Sequence, residues 1–153
     1  MKTCFLLRFT ATLALACGLS CAAQDKGYWQ AASNNASSIT GDISISDTKL
    51  TIAYKGFPMA PIRDLKPAEV SAVFDADVNT AGSGKLYRVK IPAEQRFLRK
   101  NTLCGTQDTQ WMAAYPVGKS LQVAFFSGDE APVLTFEAIS HSQNLCGTFT
   151  YVR

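Results

Sequence analysis

The clearest chemical signal in this chain is a pair of cysteines. The tetrapeptide Leu-Cys-Gly-Thr occurs twice, at 103–106 and 145–148, and beyond residue 23 the chain has no cysteines besides Cys104 and Cys146. Catalytic dithiols usually sit two residues apart in a Cys-X-X-Cys turn, and these two are far apart. A single histidine cannot complete a zinc site with two thiolates. We therefore predict a structural disulfide that ties the last strand to the middle of the domain.

Other residue types that could do catalytic or metal chemistry lack the patterns that such chemistry needs. His141 is the only histidine, and no Gly-X-Ser-X-Gly nucleophile motif is present. The acidic pair Asp75/Asp77 lacks the remaining ligand positions of a calcium loop, and neither this pair nor Asp129/Glu130 supports a glycosidase site. We expect no catalytic residue, no metal and no cofactor, although an enzymatic activity is not excluded.

The charge distribution has one asymmetry, between residues 85 and 100. Basic side chains are frequent there, and Glu94 is the only acid. Strand alternation places some of these side chains on the solvent side. The candidate binding face consists of Arg88, Lys90, Arg96, Arg99 and Lys100. This face is either an ordinary solvated surface or a surface for an anionic or acidic protein partner.

Residues 1–23 have the pattern of a secretory signal peptide. Lys2 and Arg8 precede an apolar run at 9–19, and small residues follow it. We expect a periplasmic or secreted protein. As an alternative, the leader has partial lipoprotein patterns that end at Cys17 or Cys21, and either would carry a lipid that anchors the protein at the membrane. Without the leader the net charge falls from +3 to about +1, which gives no reason to expect nucleic-acid binding.

The remaining chain has the size of one domain. Residues 24–38 are small and polar and predict a flexible N-terminal segment, and residues 39–153 predict a single β-rich domain. Short strands with frequent turn signals favour a mainly β fold, an antiparallel sandwich or small barrel with one or two short helices. We expect Trp29 and Trp111 in the core rather than in a ligand site.

Several elements are predicted individually. Alternating apolar residues at 43–54 predict a hairpin with its turn at Asp47-Thr48. The proline-rich stretch 56–61 predicts a bend that cannot lie inside a ladder. Pro67 opens a short helix at 67–74, with a strand as the competing interpretation. In the strand at 86–91, Tyr87, Val89 and Ile91 face one way and the basic residues face the other.

The C-terminal half resembles a group of uncharacterised small exported proteins of proteobacteria. The similar segments are 101–105, 109–113, 125–128 and 145–151. The resemblance implies a bacterial, exported setting, and it brings with it no catalytic residue and no substrate.

These observations favour an exported, non-enzymatic binding domain of the bacterial envelope that binds another protein, as an inhibitor or immunity-type factor does. The alternative is a small-ligand carrier with a calycin-like barrel cavity, since barrels of this length can enclose one. A hydrolase is a distant third. The sequence leaves the oligomeric state open.

Overall fold

The structure is a computed structural model that describes residues 24–79 and 81–153. The predicted signal peptide at 1–23, with its two candidate lipidation sites Cys17 and Cys21, lies outside the described residues.

Eight antiparallel strands form a closed barrel in which each strand pairs with its neighbours in the sequence and β8 pairs with β1. The strands are β1 (Gly27–Ala31), β2 (Ile43–Ile45), β3 (Lys49–Ile52), β4 (Lys55–Leu65), β5 (Gly84–Ile91), β6 (Thr109–Val117), β7 (Ser120–Phe126) and β8 (Leu145–Val152). The mainly β prediction is confirmed, and of the two architectures left open the chain adopts the barrel.

Period-two alternation fills the barrel with apolar side chains. In β5, Tyr87, Val89 and Ile91 are buried in the interior, while Arg88 and Lys90 point outward, as predicted. The predicted hairpin is β2 and β3, which pair in the expected register. Tyr54, predicted as its last strand residue, lies instead in the turn to β4.

The expected bend at 56–61 is wrong. These residues belong to β4, the longest strand, which contains Pro58 and Pro61. Strand β4 pairs with β3 only as far as Pro58 and with β5 only from Met59 onward, and a register shift follows Pro61. Proline is tolerated at ladder ends and bulges, where its missing N–H breaks no continuous ladder.

Two short helices pack on one outer side of the barrel. The predicted helix is confirmed as α1 (Pro67–Phe74), in which Glu69 caps the backbone N–H of Lys66. Helix α2 (Phe136–Ser140) precedes β8. Together with the outer faces of β5, β6 and β7, α1 and the segment before α2 form a second apolar core. The outer faces of β1, β2 and β3 have no such cover.

The N-terminal boundary needs correction. We expected residues 24–38 to be flexible and outside the domain, but β1 pairs with β2 and also with β8, and so closes the barrel. Trp29 in β1 is fully buried, and its indole N–H donates to the carbonyl of Asp25. A short π-helix, Ala36–Thr40, then buries Ala36 and Thr40. Because residues 24–38 are mostly small and polar, their composition did not reveal these few inward-facing residues.

The predicted disulfide between Cys104 and Cys146 is confirmed, with the two Cα atoms 4.9 Å apart. Cys104 lies in the connection from β5 to β6, and Cys146 lies in β8. The bridge therefore joins a long connection to the last strand at one end of the barrel. We call this end the upper rim; it carries the connections at 32–42, 53–54, 92–108 and 127–144.

Candidate binding cleft

The uncovered outer side of the barrel carries a row of small residues. Tyr28 in β1 pairs with Ser44 in β2, Ser44 pairs with Thr51 in β3, and Thr51 pairs with Gly56 in β4. Their neighbours along the strands point into the core, so the row faces outward. Because three of the four side chains are small or absent, the row forms a low floor beside the ring of Tyr28.

Two bulky residues of the upper rim rise beside this floor. Tyr54 comes from the β3–β4 turn, and Leu98 comes from the connection between β5 and β6. Together with Tyr28 they help line a cleft of about 570 Å³. Tyr54 is fully exposed (102%), Tyr28 is 57% exposed and Leu98 is 37% exposed. Apolar side chains grouped in this way on an outer surface are typical of interaction sites.

The backbone beside the cleft is held in conformations that L-residues rarely adopt. Ala53 and Tyr54 have φ of 48° and 67°, and Arg99 and Lys100 have φ of 52° and 61°. Apart from these four, positive φ among the described non-glycine residues occurs only at Asp75, which ends α1. Such strain persists only where the surrounding structure imposes it, and it clusters at functional sites.

A polar pair fixes one wall of the cleft. The hydroxyl of Tyr28 donates to the carboxylate of Asp42, which also accepts from the backbone N–H of Ala31 at 2.8 Å. The bond from Tyr28, followed by that from Ala31, lowers the pKa of Asp42. The same bond, more than burial, raises the pKa of Tyr28. At neutral pH the carboxylate is charged, and it holds the Tyr28 ring in place.

The structure divides the predicted basic face. Arg88 is engaged locally: its guanidinium donates to the carbonyl of Asp129 at 2.9 Å and to Gln110, and it lies 4.5 Å from the ring centroid of Trp111. Lys90 is exposed on the outer face of β5. These contacts give Arg88 a structural role in holding β5 against β6.

The other predicted basic residues lie in the β5–β6 connection. Arg96 donates to the carbonyl of Ala93 at 3.1 Å. Arg99 and Lys100 are exposed, and they directly follow Leu98, which lines the cleft.

Sequence reasoning did not single out the residues of the β3–β4 turn or the lysine that follows it. Lys55 directly follows Tyr54 and is exposed. In the described part of the chain, Lys55, Arg99 and Lys100 form no ion pair. Lys55 pairs with the inward-facing Ile52, so it points away from the outward floor of the cleft. The exposed position of Tyr54 could have been found from the sequence, because Ala53 and Tyr54 form a two-residue hairpin loop. We interpreted these two residues as strand.

A second surface groove lies on the helical side. It measures about 670 Å³, runs between α1 and the segment 132–136, and exposes Val133 and Phe136. The charged residues that line it are Arg63 and Glu69, which are paired with each other at 2.7 Å, and Lys66, which is exposed and forms no ion pair within the described residues.

The remaining candidate residues are placed as follows. His141 is exposed at the end of α2, where its Nδ1 lies 3.0 Å from the carbonyl of Glu137. Trp29 and Trp111 are both buried in apolar clusters. Among residues 24–79 and 81–153, no group of three or more His, Cys, Asp or Glu side chains could hold a metal ion.

Bulky side chains occupy the barrel interior. Trp29, Met112, Phe125 and Tyr151 are completely buried there. The hydroxyl of Tyr151 lies 2.8 Å from Thr40 Oγ1, and burial raises the pKa of Tyr151. An eight-stranded barrel is just wide enough for side chains to fill it or to hold one small ligand.

No family model, no curated protein and no solved structure matches this chain. Within the described residues, no helix is both long enough and apolar enough to cross a membrane.

Proposed function

We propose that this protein is an exported binding domain of the bacterial envelope that captures an acidic protein partner at the cleft, as an inhibitor or immunity-type factor does. The observation that carries the proposal is the cleft itself, which Tyr28, Tyr54 and Leu98 line with exposed side chains and where the exposed basic residues Arg99 and Lys100 follow Leu98.

The composition of the cleft suits a protein interface. Tyrosine and arginine are enriched in interface cores and supply most hot spots, because large planar groups bury much area at a low entropy cost. Basic residues at the border attract an acidic partner and raise the association rate. The two segments with positive φ have defined backbone conformations, so little backbone freedom is lost on binding.

The setting is part of the proposal. The signal-peptide pattern at 1–23 supports export to the periplasm or beyond it, and the resemblance to small exported proteobacterial proteins supports a bacterial envelope. The alternative of lipid attachment at Cys17 or Cys21 would place the same domain at a membrane surface.

The test is affinity capture from an envelope extract. We expect charge reversal at Arg96, Arg99 and Lys100 to weaken capture of a partner that the unchanged protein retains, with Arg99 and Lys100 accounting for most of the loss. Lys119→Glu is the matched control, because Lys119 is exposed in the β6–β7 turn at the opposite end of the barrel. Equal capture by the charge-reversed protein and the control would remove the basic border from the proposal. Absence of any specific partner would contradict protein binding.

A small-ligand carrier is the second candidate, and the closed eight-stranded barrel supports it. The bulky interior side chains weigh against it. Native mass spectrometry of the purified protein distinguishes the two functions. A carrier retains a small molecule of constant mass, whereas the binding domain gives the mass of the polypeptide alone.

A further inference from the structure

We infer that the cleft takes an arginine side chain of the partner, whose guanidinium lies between the rings of Tyr28 and Tyr54 and donates hydrogen bonds to the carboxylate of Asp42. The inference rests on the proposed function and specifies the residue with which the partner enters the cleft.

The cleft carries a negative charge. Among the described residues that line it, Asp42 is the only charged one, and it is exposed and takes part in no ion pair with them. The hydrogen bonds from Tyr28 and Ala31 lower the pKa of Asp42, so it is ionised at neutral pH. Each carboxylate oxygen accepts one of these bonds and has a further lone pair. Asp42 can therefore accept hydrogen bonds from a cation, and it would repel an anion.

The floor of the cleft adds acceptors that no protein group uses. Ser44 and Thr51 pair with each other on the outward face of β2 and β3. Within residues 24–79 and 81–153, neither hydroxyl forms a hydrogen bond. Ser44 follows Asp42 by two residues, which corresponds to about 7 Å along a strand. A guanidinium has five N–H donors in one plane, so it can donate to the carboxylate on one side and to a floor hydroxyl on the other.

The walls of the cleft suit a planar cation better than a compact one. Guanidinium groups stack on aromatic faces, and the attraction between a cation and a ring strengthens when water is excluded. Tyr28 and Tyr54 supply two such rings, and Leu98 supplies an aliphatic surface for the methylene stem of an arginine. A lysine ammonium is more strongly hydrated and has no planar fork. The cleft therefore favours arginine over lysine.

Arg99 and Lys100 lie outside this arrangement. Both are exposed, and neither lines the cleft. Water and salt screen exposed charges over about 8 Å at physiological ionic strength. Acidic residues elsewhere on the partner can pair with Arg99 and Lys100 while its arginine fills the cleft. An acidic partner and a basic side chain in the cleft are therefore compatible.

Selection from a phage-displayed library of random peptides tests this inference. We expect the enriched peptides to share one arginine. In synthetic copies, citrulline at that position keeps the shape of the side chain but removes its charge, and it should weaken binding about tenfold or more. Lysine keeps the charge without the planar fork and should also weaken binding. No enrichment, no shared arginine, or equal affinity of either substituted copy would overturn the inference.

Variants of the protein locate the arginine. Asp42→Asn, which keeps the shape but removes the charge, should weaken peptide binding about tenfold, and Tyr54→Ala should weaken it by removing one ring. Asp75→Asn is the matched control for charge, because Asp75 is exposed at the end of α1 and asparagine tolerates its positive φ. Phe136→Ala is the control for the ring, because Phe136 is exposed in the groove beside α1.

Equal unfolding midpoints in urea would show that these variants remain folded. If Asp42→Asn loses stability, Tyr54→Ala still gives the answer, because the Tyr54 side chain is fully exposed. Peptide binding that is unchanged in both cleft variants, or that falls equally in the control variants, would contradict the assignment.

The two proposals fail separately. If an envelope partner is captured equally well by the wild type, by Asp42→Asn and by Tyr54→Ala, the inference about the cleft fails while protein binding stands. If arginine peptides bind the cleft but the envelope extract yields no partner, the proposed function fails and only the recognition chemistry of the cleft remains.

Discussion

At the scale of single residues, the hydrogen bond from Tyr28 to Asp42 shapes the cleft. Tyr28 lies in β1 and Asp42 is the last residue of the β1–β2 connection, and their hydrogen bond orients the ring and lowers the pKa of the carboxylate. Asp42 thus has a role in shaping the cleft, although it was not singled out in the sequence.

Carboxyl-carbon NMR titration should detect the effect of the Tyr28–Asp42 hydrogen bond on the pKa of Asp42. We expect the pKa of Asp42 to lie below 3.8, its ordinary value, and to rise toward that value in Tyr28→Phe. Tyr54→Phe is the control, because Tyr54 lines the same cleft without donating to Asp42. A group whose pKa is lower in the folded state than in the unfolded state stabilises the fold at pH values above its unfolded-state pKa. This contribution is lost as the pH falls through the folded-state pKa. Acid should therefore destabilise the wild type more steeply than Tyr28→Phe, and an unchanged Asp42 pKa in Tyr28→Phe would contradict this role.

Arg153 makes a second contact that matters at the residue scale. Its guanidinium donates to the carbonyls of Gln24 and Lys26 and lies 4.2 Å from the ring centroid of Trp29. These contacts hold the residues before β1 beside the end of β8, where the paired register of the two strands has ended.

Removal of this side chain should loosen the closure of the barrel. We expect Arg153→Ala to lower the free energy of unfolding by about 1 kcal/mol, from the lost hydrogen bonds and the lost cation–π contact. Urea unfolding measures the change, and Lys119→Ala is the control at the same end of the barrel. If both substitutions have the same small effect, Arg153 does not hold β1.

At the scale of elements, the β3–β4 turn departs from the residues that its geometry favours. A two-residue hairpin loop with positive φ at both positions prefers Asn-Gly or Asp-Gly. Here Ala53 and Tyr54 occupy those positions, and Ile52 pairs directly with Lys55. The chain thus keeps a less stable turn that presents a fully exposed tyrosine, as expected if the tyrosine serves binding.

Substitutions in this turn should change the free energy of unfolding and the capture of the partner independently of each other. We expect Ala53→Asn to raise the free energy of unfolding by roughly 0.5–1 kcal/mol, since asparagine tolerates the left-handed region better than alanine. Partner capture should be unchanged, because Tyr54 stays in place. Tyr54→Gly should also relieve strain but should weaken capture. A destabilised Ala53→Asn protein in urea unfolding would contradict the interpretation of this turn.

At the scale of the whole molecule, the disulfide supports a short ladder between strands that are distant in the sequence. Strand β1 pairs with β8 through two residue pairs, Gln30 with Val152 and Ala31 with Tyr151. Such a short ladder between distant strands leaves closure dependent on other contacts. The bridge holds β8 at the upper rim, and Arg153 holds the opposite end.

Loss of the bridge should affect the entire fold. In the chain-entropy model, a bridge that closes a loop of about 43 residues contributes roughly 4 kcal/mol, which Cys104→Ala/Cys146→Ala should lose. Guanidinium unfolding of the two proteins measures the difference. Alkylation under denaturing, non-reducing conditions should label neither cysteine of the unaltered domain. Labelling of both would show that the bridge does not form.

Sequence patterns were reliable where the interaction is local. Pro67 with Glu69 specified the start of α1, and alternation in β5 specified which side chains face the core. The disulfide is not local, but it was predictable because no other cysteines follow residue 23. Patterns failed where pairing changes along a strand. Pro58 lies where β4 exchanges one neighbour for the other, which depends on β3 and β5 together.

The cleft depended on the tertiary structure for the same reason. By itself, the sequence determined a mainly β domain, its bridge and a basic stretch that includes Arg99 and Lys100. Only the tertiary structure brought Tyr28, Tyr54 and Leu98 to one cleft, because Tyr28 belongs to a strand and the other two belong to separate connections of the barrel. The period of a strand tells which side a residue faces, but the register between strands decides which residues it meets there.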